Sequence, residues 1–196
     1  MSRGPTLVAF DLGGVLVDVD REGLAGALQR LPEEIERAFF GAHRHDHLTV
    51  GALSGEAYVA AVAADLGARE DDVARAWRQV VTTRPGAAAI VSGVVVEVAA
   101  WSNTDALHYA ELRPTLPERL WTRRALSQEV RAAKPEESFY RAALARLGCN
   151  PREVLFLDDL AANVAGAAAC GVQAVQVTSL EEVAAVLAAH DLLQPS

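Results

Sequence analysis

The sequence predicts an α/β fold, a doubly wound parallel sheet carrying an inserted α-helical cap, and three observations predict it. Short apolar runs alternate with stretches of helical spacing, the pattern of parallel strands joined by right-handed helical crossovers. Three of those runs stop at polar residues: Asp11, Ser102-Asn103-Thr104 and Asp158-Asp159. Between the first and second runs lies one long segment, residues 20–84, with helix-forming composition and no strand signal.

The first run, Thr6-Leu7-Val8-Ala9-Phe10, ends in Asp11 and is followed by Gly13-Gly14. A continuous apolar run of this length reads as a strand buried on both faces, with chemistry in the loop beyond its carboxyl end. Residues 21–30, 32–40, 54–66 and 70–81 read as helices, with Ser54 and Asp71-Asp72 as start signals. After Arg84-Pro85 the alternation returns. Residues 85–91 read as a short helix, 94–101 as a second strand, and 116–125 as an irregular helix. A helix at 138–147 is closed by Gly148, a third strand covers 153–157, and a helix at 163–170 is closed by Gly171. A fourth strand at 173–177 and a helix at 180–189 complete the chain. The resulting division is a core of residues 1–16 and 85–196 and a helical cap of residues 17–84. The cap leaves the core just past the first strand, which lets it sit over the edge where the polar strand ends converge.

Composition narrows the function. The 196 residues are 51% hydrophobic with a formal net charge of −8, a globular composition that repels nucleic acid and anionic membrane at long range. A small phosphorylated metabolite remains an admissible partner, because a metal ion and one lysine reverse the field locally. The expected state is a monomer or weak homodimer. Cys149 and Cys170 share no CxxC spacing and read as free thiols of a reducing compartment. The N-terminus lacks the features of a signal peptide, and no apolar run reaches the roughly 18 residues of a membrane span. The cytoplasm is the expected location.

The strand-end residues carry the chemistry. Asp11, past a buried strand and backed by glycines, suits in-line attack on phosphorus; singly, it reads equally as a helix cap. Asp158 and Asp159 repel each other unless a cation or proton intervenes, and Mg2+ fits oxygen donors of this kind; the alternative is a loop with one capping aspartate. Ser102 and Asn103 suit phosphoryl binding, and Lys134, before Pro135, suits neutralisation of transition-state charge. In the cap, His43, His45 and His47 alternate, a spacing that would need an extended segment to share one metal. They read instead as pocket or solvent residues, Arg44 as a contact to the non-transferred part of a substrate, and Trp77 as cap core.

In order, these elements resemble the haloacid dehalogenase-like (HAD) hydrolase superfamily. The matching text is Val8-Ala9-Phe10-Asp11-Leu12-Gly13-Gly14-Val15-Leu16, Trp101-Ser102-Asn103-Thr104, Ala133-Lys134-Pro135 and Phe156-Leu157-Asp158-Asp159-Leu160-Ala161-Ala162-Asn163. The sequence is most similar to bacterial phosphatases acting on α-D-glucose 1-phosphate. The resemblance implies a Rossmann-like core and an aspartyl-phosphate formed on Asp11. It implies phosphoryl binding by Ser102 with Asn103, and charge stabilisation by Lys134. It implies Mg2+ held by Asp11, the Gly13 carbonyl and Asp159, with Asp158 as a supporting or alternative ligand and Asn163 orienting a metal-bound water.

Three features depart from the family pattern. Gly13 stands where most phosphatases of the superfamily carry a second aspartate acting as acid and base, a group whose loss costs roughly 10²–10⁴-fold in rate. The link from Arg84 to Ser102 is short, and Trp101 replaces a commoner aliphatic residue. The expected function is therefore Mg2+-dependent hydrolysis of a small phosphate ester, such as glucose 1-phosphate. The alternatives are 2-haloacid dehalogenation and sugar-phosphate binding without turnover.

Overall fold

The strand β1 (Leu7–Phe10) lies at the centre of a five-stranded sheet in a computed structural model that describes residues 4–194. Residues 1–3 and 195–196, included in the expected core span, lie outside the described residues. β1 pairs in parallel with β4 (Glu97–Ser102) on one side and β6 (Val154–Asp158) on the other. Beyond these come β5 (Arg124–Leu126) and β7 (Gln173–Gln176), also parallel. The order β5-β4-β1-β6-β7 reverses direction at β1, which places the ligand crevice at its carboxyl end.

Side-chain alternation explains why the sheet is covered on both faces. Val8, Phe10, Val98, Ala100, Leu155 and Leu157 point into one core layer. Leu7, Ala9, Ala99, Trp101, Val154 and Phe156 point into the other. β1, β6 and β4 beyond Glu97 thus read as apolar runs, because neither face meets water. The first layer is closed by α6 (Ala87–Gly93), α8 (Glu118–Thr122) and α12 (Leu180–Ala189). The second is closed by α10 (Glu137–Leu147) and α11 (Ala161–Ala169). Between β4 and β6 also lie α7 (Ala106–Leu112) and the short α9 (Ser127–Val130). No helix among the described residues is long and apolar enough to cross a membrane.

The segment after β1 forms a helical insertion: α1 (Gly23–Leu28), α2 (Pro32–Ile35), α3 (Arg44–Thr49), α4 (Gly55–Leu66) and α5 (Glu70–Arg78). A π-helical turn, Glu36–Phe40, continues α2. The insertion has its own core, in which Phe39, Tyr58, Val62, Val73 and Trp77 are fully buried. Ser54 caps α4 by accepting from the Ala57 amide, as its position predicts.

Three expectations need correction. The segment 20–84 is not purely helical: β3 (Val81–Thr83) pairs antiparallel with β2 (Val17–Val19), so the insertion is entered and left through a two-stranded ribbon. Residues 116–125 are not one helix: Arg124, Ala125 and Leu126 form the edge strand β5, which exists because β4 offers it an open edge. The second strand also begins at Glu97 rather than 94 and includes Ser102.

Candidate active site

Three chain segments deliver polar groups to one end of the sheet. The register pairs Phe10 with Ala100 and with Leu157, so Asp11 and Asp158 emerge side by side one residue later. The Asp11 amide donates to the Leu157 carbonyl at 2.9 Å, which fixes that emergence. Asp11, Asp158 and Asp159 each offer a carboxylate oxygen within 4.8 Å of the others.

Lys134 sits between two of them. Its ammonium lies 2.8 Å from Asp11 Oδ1 and 2.6 Å from Asp158 Oδ2, and the side chain is almost fully buried. Asn103 fixes the lysine: its amide accepts from the Lys134 N–H at 2.8 Å and donates to the Lys134 carbonyl at 2.9 Å. Asp158 is fully buried and saturated. It accepts from Lys134, from the Leu160 amide at 2.9 Å, and from Asn163 Nδ2 at 2.9 and 3.1 Å. Asn163 is held in turn by Tyr140, whose hydroxyl donates to its carbonyl at 2.7 Å. Asp11 Oδ1 also accepts from the Leu12 amide at 2.7 Å, so Lys134 and Leu12 anchor one carboxylate oxygen and leave Oδ2 to the cavity.

Electrostatics follow from burial and charge count. Burial pushes the Asp11 carboxyl up to about 6, with Lys134 opposing and the Asp158 charge adding to the rise. Burial also raises the Asp159 carboxyl, and Asp158 adds to it. Three carboxylates share one lysine, a surplus of negative charge. The donors are hard oxygens, with Gly13 lining the same cavity. This donor set fits a hard divalent cation. Because Asp158 is already saturated, Asp11 and Asp159 are the carboxylates of the cluster that could hold one.

The cavity above these residues is about 1100 Å³, walled by core and insertion together. Ser102 is buried at its floor, at the end of β4. Asn103 and Asn163 line it too, although their amides are spent on Lys134 and Asp158. Arg44 is not brought there: its guanidinium pairs with Asp65 at 2.7 Å and with the Ala38 carbonyl. His43 is exposed and pairs with Asp46 at 3.0 Å, and His47 is exposed, so the three histidines do not converge. His45 lines the cavity. Trp101 turns away from it, into the core layer with Phe139, Tyr140 and Phe156.

Several cavity residues escaped the sequence reading. Asp105 caps α7 through the Leu107 and His108 amides, and its Oδ2 accepts from Trp77 Nε1 at 3.2 Å and lies 2.9 Å from His108 Nδ1. Burial raises the Asp105 carboxyl, but hydrogen bonds and charge from His108 outweigh it and leave the group below its ordinary range. His108 Nε2 lies 2.8 Å from the Trp77 carbonyl, and the two rings stack with centroids 4.6 Å apart. Trp77 is insertion core, as its helical spacing predicts, and also ties the insertion to the helix behind Ser102. Ser127 adds a second tie, donating toward the Thr49 carbonyl at 2.6 Å and accepting from the Thr104 amide at 3.0 Å. Arg84 adds a third, reaching Asp18 at 2.6 Å and the Gly14 carbonyl at 2.8 Å. The Asp105 cap signature after Ser102-Asn103-Thr104 was a readable signal for the first tie; the others depend on contacts distant in sequence.

A family described as haloacid dehalogenase-like hydrolase matches residues 5–171. Among solved structures, the chain is similar to a HAD family enzyme of Bacteroides thetaiotaomicron in complex with magnesium and inorganic phosphate. The identity is 22%, covering 88% of this chain and 94% of that one, with a TM-score of 0.78. It is also similar to a predicted HAD-like family hydrolase of Porphyromonas gingivalis, at 20% identity, 94% and 98% coverage and a TM-score of 0.80. An L-2-haloacid dehalogenase of Xanthobacter autotrophicus matches at 24% identity, 94% and 83% coverage and a TM-score of 0.62.

Proposed function

Because the chain belongs to the haloacid dehalogenase-like hydrolase family, we propose that it is a Mg2+-dependent phosphatase that acts on a small phosphate ester through an aspartyl-phosphate on Asp11. The observation that carries this reading is the three-carboxylate cluster around one lysine, with Asp158 saturated and Asp11 and Asp159 left facing the cavity. Such a surplus of buried negative charge suits a site completed by a cation and an anionic phosphoryl group. The magnesium-and-phosphate complex of the Bacteroides thetaiotaomicron enzyme, which shares the fold, supports the same assignment.

The steps assigned to this chain's residues are these. Ser102 and the backbone around Leu12 orient the phosphoryl group over Asp11. Asp11 Oδ2 attacks phosphorus in line as the bond to the leaving oxygen breaks. Lys134 stays bonded to Asp11 Oδ1 and balances charge on the phosphoryl oxygens. Water then attacks the aspartyl-phosphate and frees the carboxylate. A bound magnesium, held by Asp11, Asp159 and the Gly13 carbonyl, would supply neutralisation of phosphoryl charge. Gly13 offers no carboxylic acid for the leaving oxygen, which favours esters whose alcohol leaves readily, such as glycosyl phosphates like glucose 1-phosphate.

Gly13 also favours a second reading, dehalogenation of a 2-haloacid. The acidic cluster argues against it, since a reaction that uses no metal ion has little reason to gather three carboxylates at one point. The two readings separate in one experiment. Phosphate release from a panel of esters and halide release from 2-chloropropionate are measured with Mg2+ and with EDTA, with Asp11→Asn as control. Phosphate release that needs both Mg2+ and Asp11 is expected; halide release that persists in EDTA overturns the phosphatase reading.

A further inference from the structure

Arg84 follows β3 at the exit of the insertion, and its guanidinium reaches back to three chain segments. Nε donates to Asp18 Oδ1 at 2.6 Å, on β2. Nη1 donates to the Gly14 carbonyl at 2.8 Å and to the Val15 carbonyl at 3.2 Å, both in the turn after β1. The same Nη1 reaches the Thr178 carbonyl, beyond β7, at 3.3 Å. The Arg84 amide donates to the Leu16 carbonyl at 2.9 Å, so backbone and side chain grip one turn. The Arg84 side chain is 21% exposed, whereas that of Asp18 is 60% exposed. An ion pair with so exposed a carboxylate adds little stability. Its use is to aim the planar fork at the carbonyls, where a charged donor makes strong, directional bonds.

Those carbonyls belong to the segments that seat Asp159. Gly14 is held on both sides: its amide donates to the Val17 carbonyl at 2.8 Å, and its carbonyl accepts from Arg84. This fixes the residue whose bare Cα the Asp159 carboxylate lies against. Asp159 is held from the other direction, because Gln176 Nε2 donates to its carbonyl at 2.8 Å. Gln176 ends β7, two residues before Thr178. One guanidinium therefore spans both halves of the contact, the glycine that receives the carboxylate and the strand end that holds the aspartate backbone.

We propose that Arg84 is the positioning residue for Asp159: its fork holds the Gly14 turn against the end of β7, so that the Asp159 carboxylate stays within reach of Asp11 for a shared cation. The proposal rests on the phosphatase reading, which assigns magnesium to Asp11 and Asp159. Charge alone argues for the opposite effect. Burial raises the Asp159 carboxyl, and the Arg84 charge is among those that oppose the rise, so the guanidinium is felt at that carboxylate. A positive charge so placed also repels a bound cation. Removal of Arg84 tightens magnesium binding if charge decides, and weakens it if positioning decides.

The test is a calorimetric titration of the full chain with MgCl2, comparing wild type, Arg84→Gln and Arg84→Lys. Glutamine removes both charge and fork, whereas lysine keeps the charge and loses the fork. The Kd for magnesium should rise about 10-fold in Arg84→Gln, the scale on which loss of a group that orients a metal ligand is felt. Arg84→Lys should recover little of that loss. Thermal melts in EDTA establish that the variants fold; a merely structural role would lower Tm there and leave the Kd in place. If Arg84→Gln does not fold, Arg84→Lys decides by itself: weaker magnesium binding than wild type supports the proposal, and equal binding overturns it. Unchanged or tighter binding in Arg84→Gln, or full recovery in Arg84→Lys, also overturns it. A wild-type chain that takes up no magnesium overturns the phosphatase reading and this proposal together, a failure that shows before any variant is compared.

Discussion

The carboxylate of Asp159 lies against the Cα of Gly14, in the space that a β-carbon on residue 14 would fill. Gly14 also has φ +74°, so both its conformation and its missing side chain are needed to seat that carboxylate. Gly14→Ala is expected to cost about 1–2 kcal/mol from the left-handed backbone and to push Asp159 out of place. Gly13→Ala meets only Val19 Cγ2, at 3.2 Å. Thermal melts with and without Mg2+ check this: the magnesium-induced rise in Tm should vanish in Gly14→Ala and persist in Gly13→Ala.

Adjacent aspartates should behave oppositely. Asp158 is fully buried and holds Lys134, the Leu160 amide and Asn163. Asp158→Ala strands a buried lysine contact and two other donors, and about 3–5 kcal/mol of stability should be lost. Among the described residues Asp159 makes no side-chain contact of that kind with its carboxylate, and it shares a crowded negative cluster. Asp159→Ala should leave denaturant stability in EDTA unchanged or higher while abolishing the response to Mg2+. Urea titrations of the two variants read the contrast directly.

Asp11→Asn should remove the nucleophile and lower phosphate release by at least ~10⁴-fold, the scale seen when a catalytic nucleophile is lost. The same variant carries a stability prediction whose sign follows from the raised Asp11 carboxyl. A folded-state value of about 6 against an ordinary 3.8 means the native state binds the proton more tightly. This group therefore withdraws stability as pH rises from about 4 through 6. In EDTA, Asp11→Asn should match or exceed wild type in Tm at pH 8 and lose that advantage near pH 4. A lower Tm at pH 8 in EDTA contradicts the charge-surplus account.

His45 should set the opposite slope. Its imidazole is lowered from 6.5 to about 4 in the folded chain, so the unfolded state binds the proton first as pH falls. The neutral ring's stability is complete above 6.5 and drains between 6.5 and 4. His45→Asn should flatten the fall of Tm in that window. An unchanged slope in the variant would mean that His45 is not the titrating group.

The parts of the fold that the sequence revealed are those whose local text is decided by burial on both faces. β1, β6 and β4 beyond Glu97 are apolar runs buried on both faces by the two layers of helices, and the polar residues that stop them, Asp11, Ser102 and Asp158-Asp159, are therefore conspicuous. Arg124-Ala125-Leu126 is helix-forming text that becomes strand only through the open edge of β4. Val17–Val19 and Val81–Thr83 are too short to announce themselves, and each becomes a strand by finding the other. Side-chain roles were less legible than positions. Asn103 sits where expected, but its amide is committed to the Lys134 backbone 31 residues away. Arg44 sits in the insertion as expected, but Asp65 and the Ala38 carbonyl claim it. Arg21 and Phe40 become a pair only when α1 and the turn after α2 fold against each other.

The antiparallel ladder of Val17–Val19 with Val81–Thr83 brings the two severed ends of the core chain to neighbouring positions. A short hairpin turn can join strands so placed, which makes everything between them removable as a cassette. A chain in which residues 20–80 are replaced by a two-residue turn would keep the strand order of the main sheet and expose the Asp11 end to water. Exchange of that cassette between relatives would then alter what is admitted without rewriting the machinery beneath.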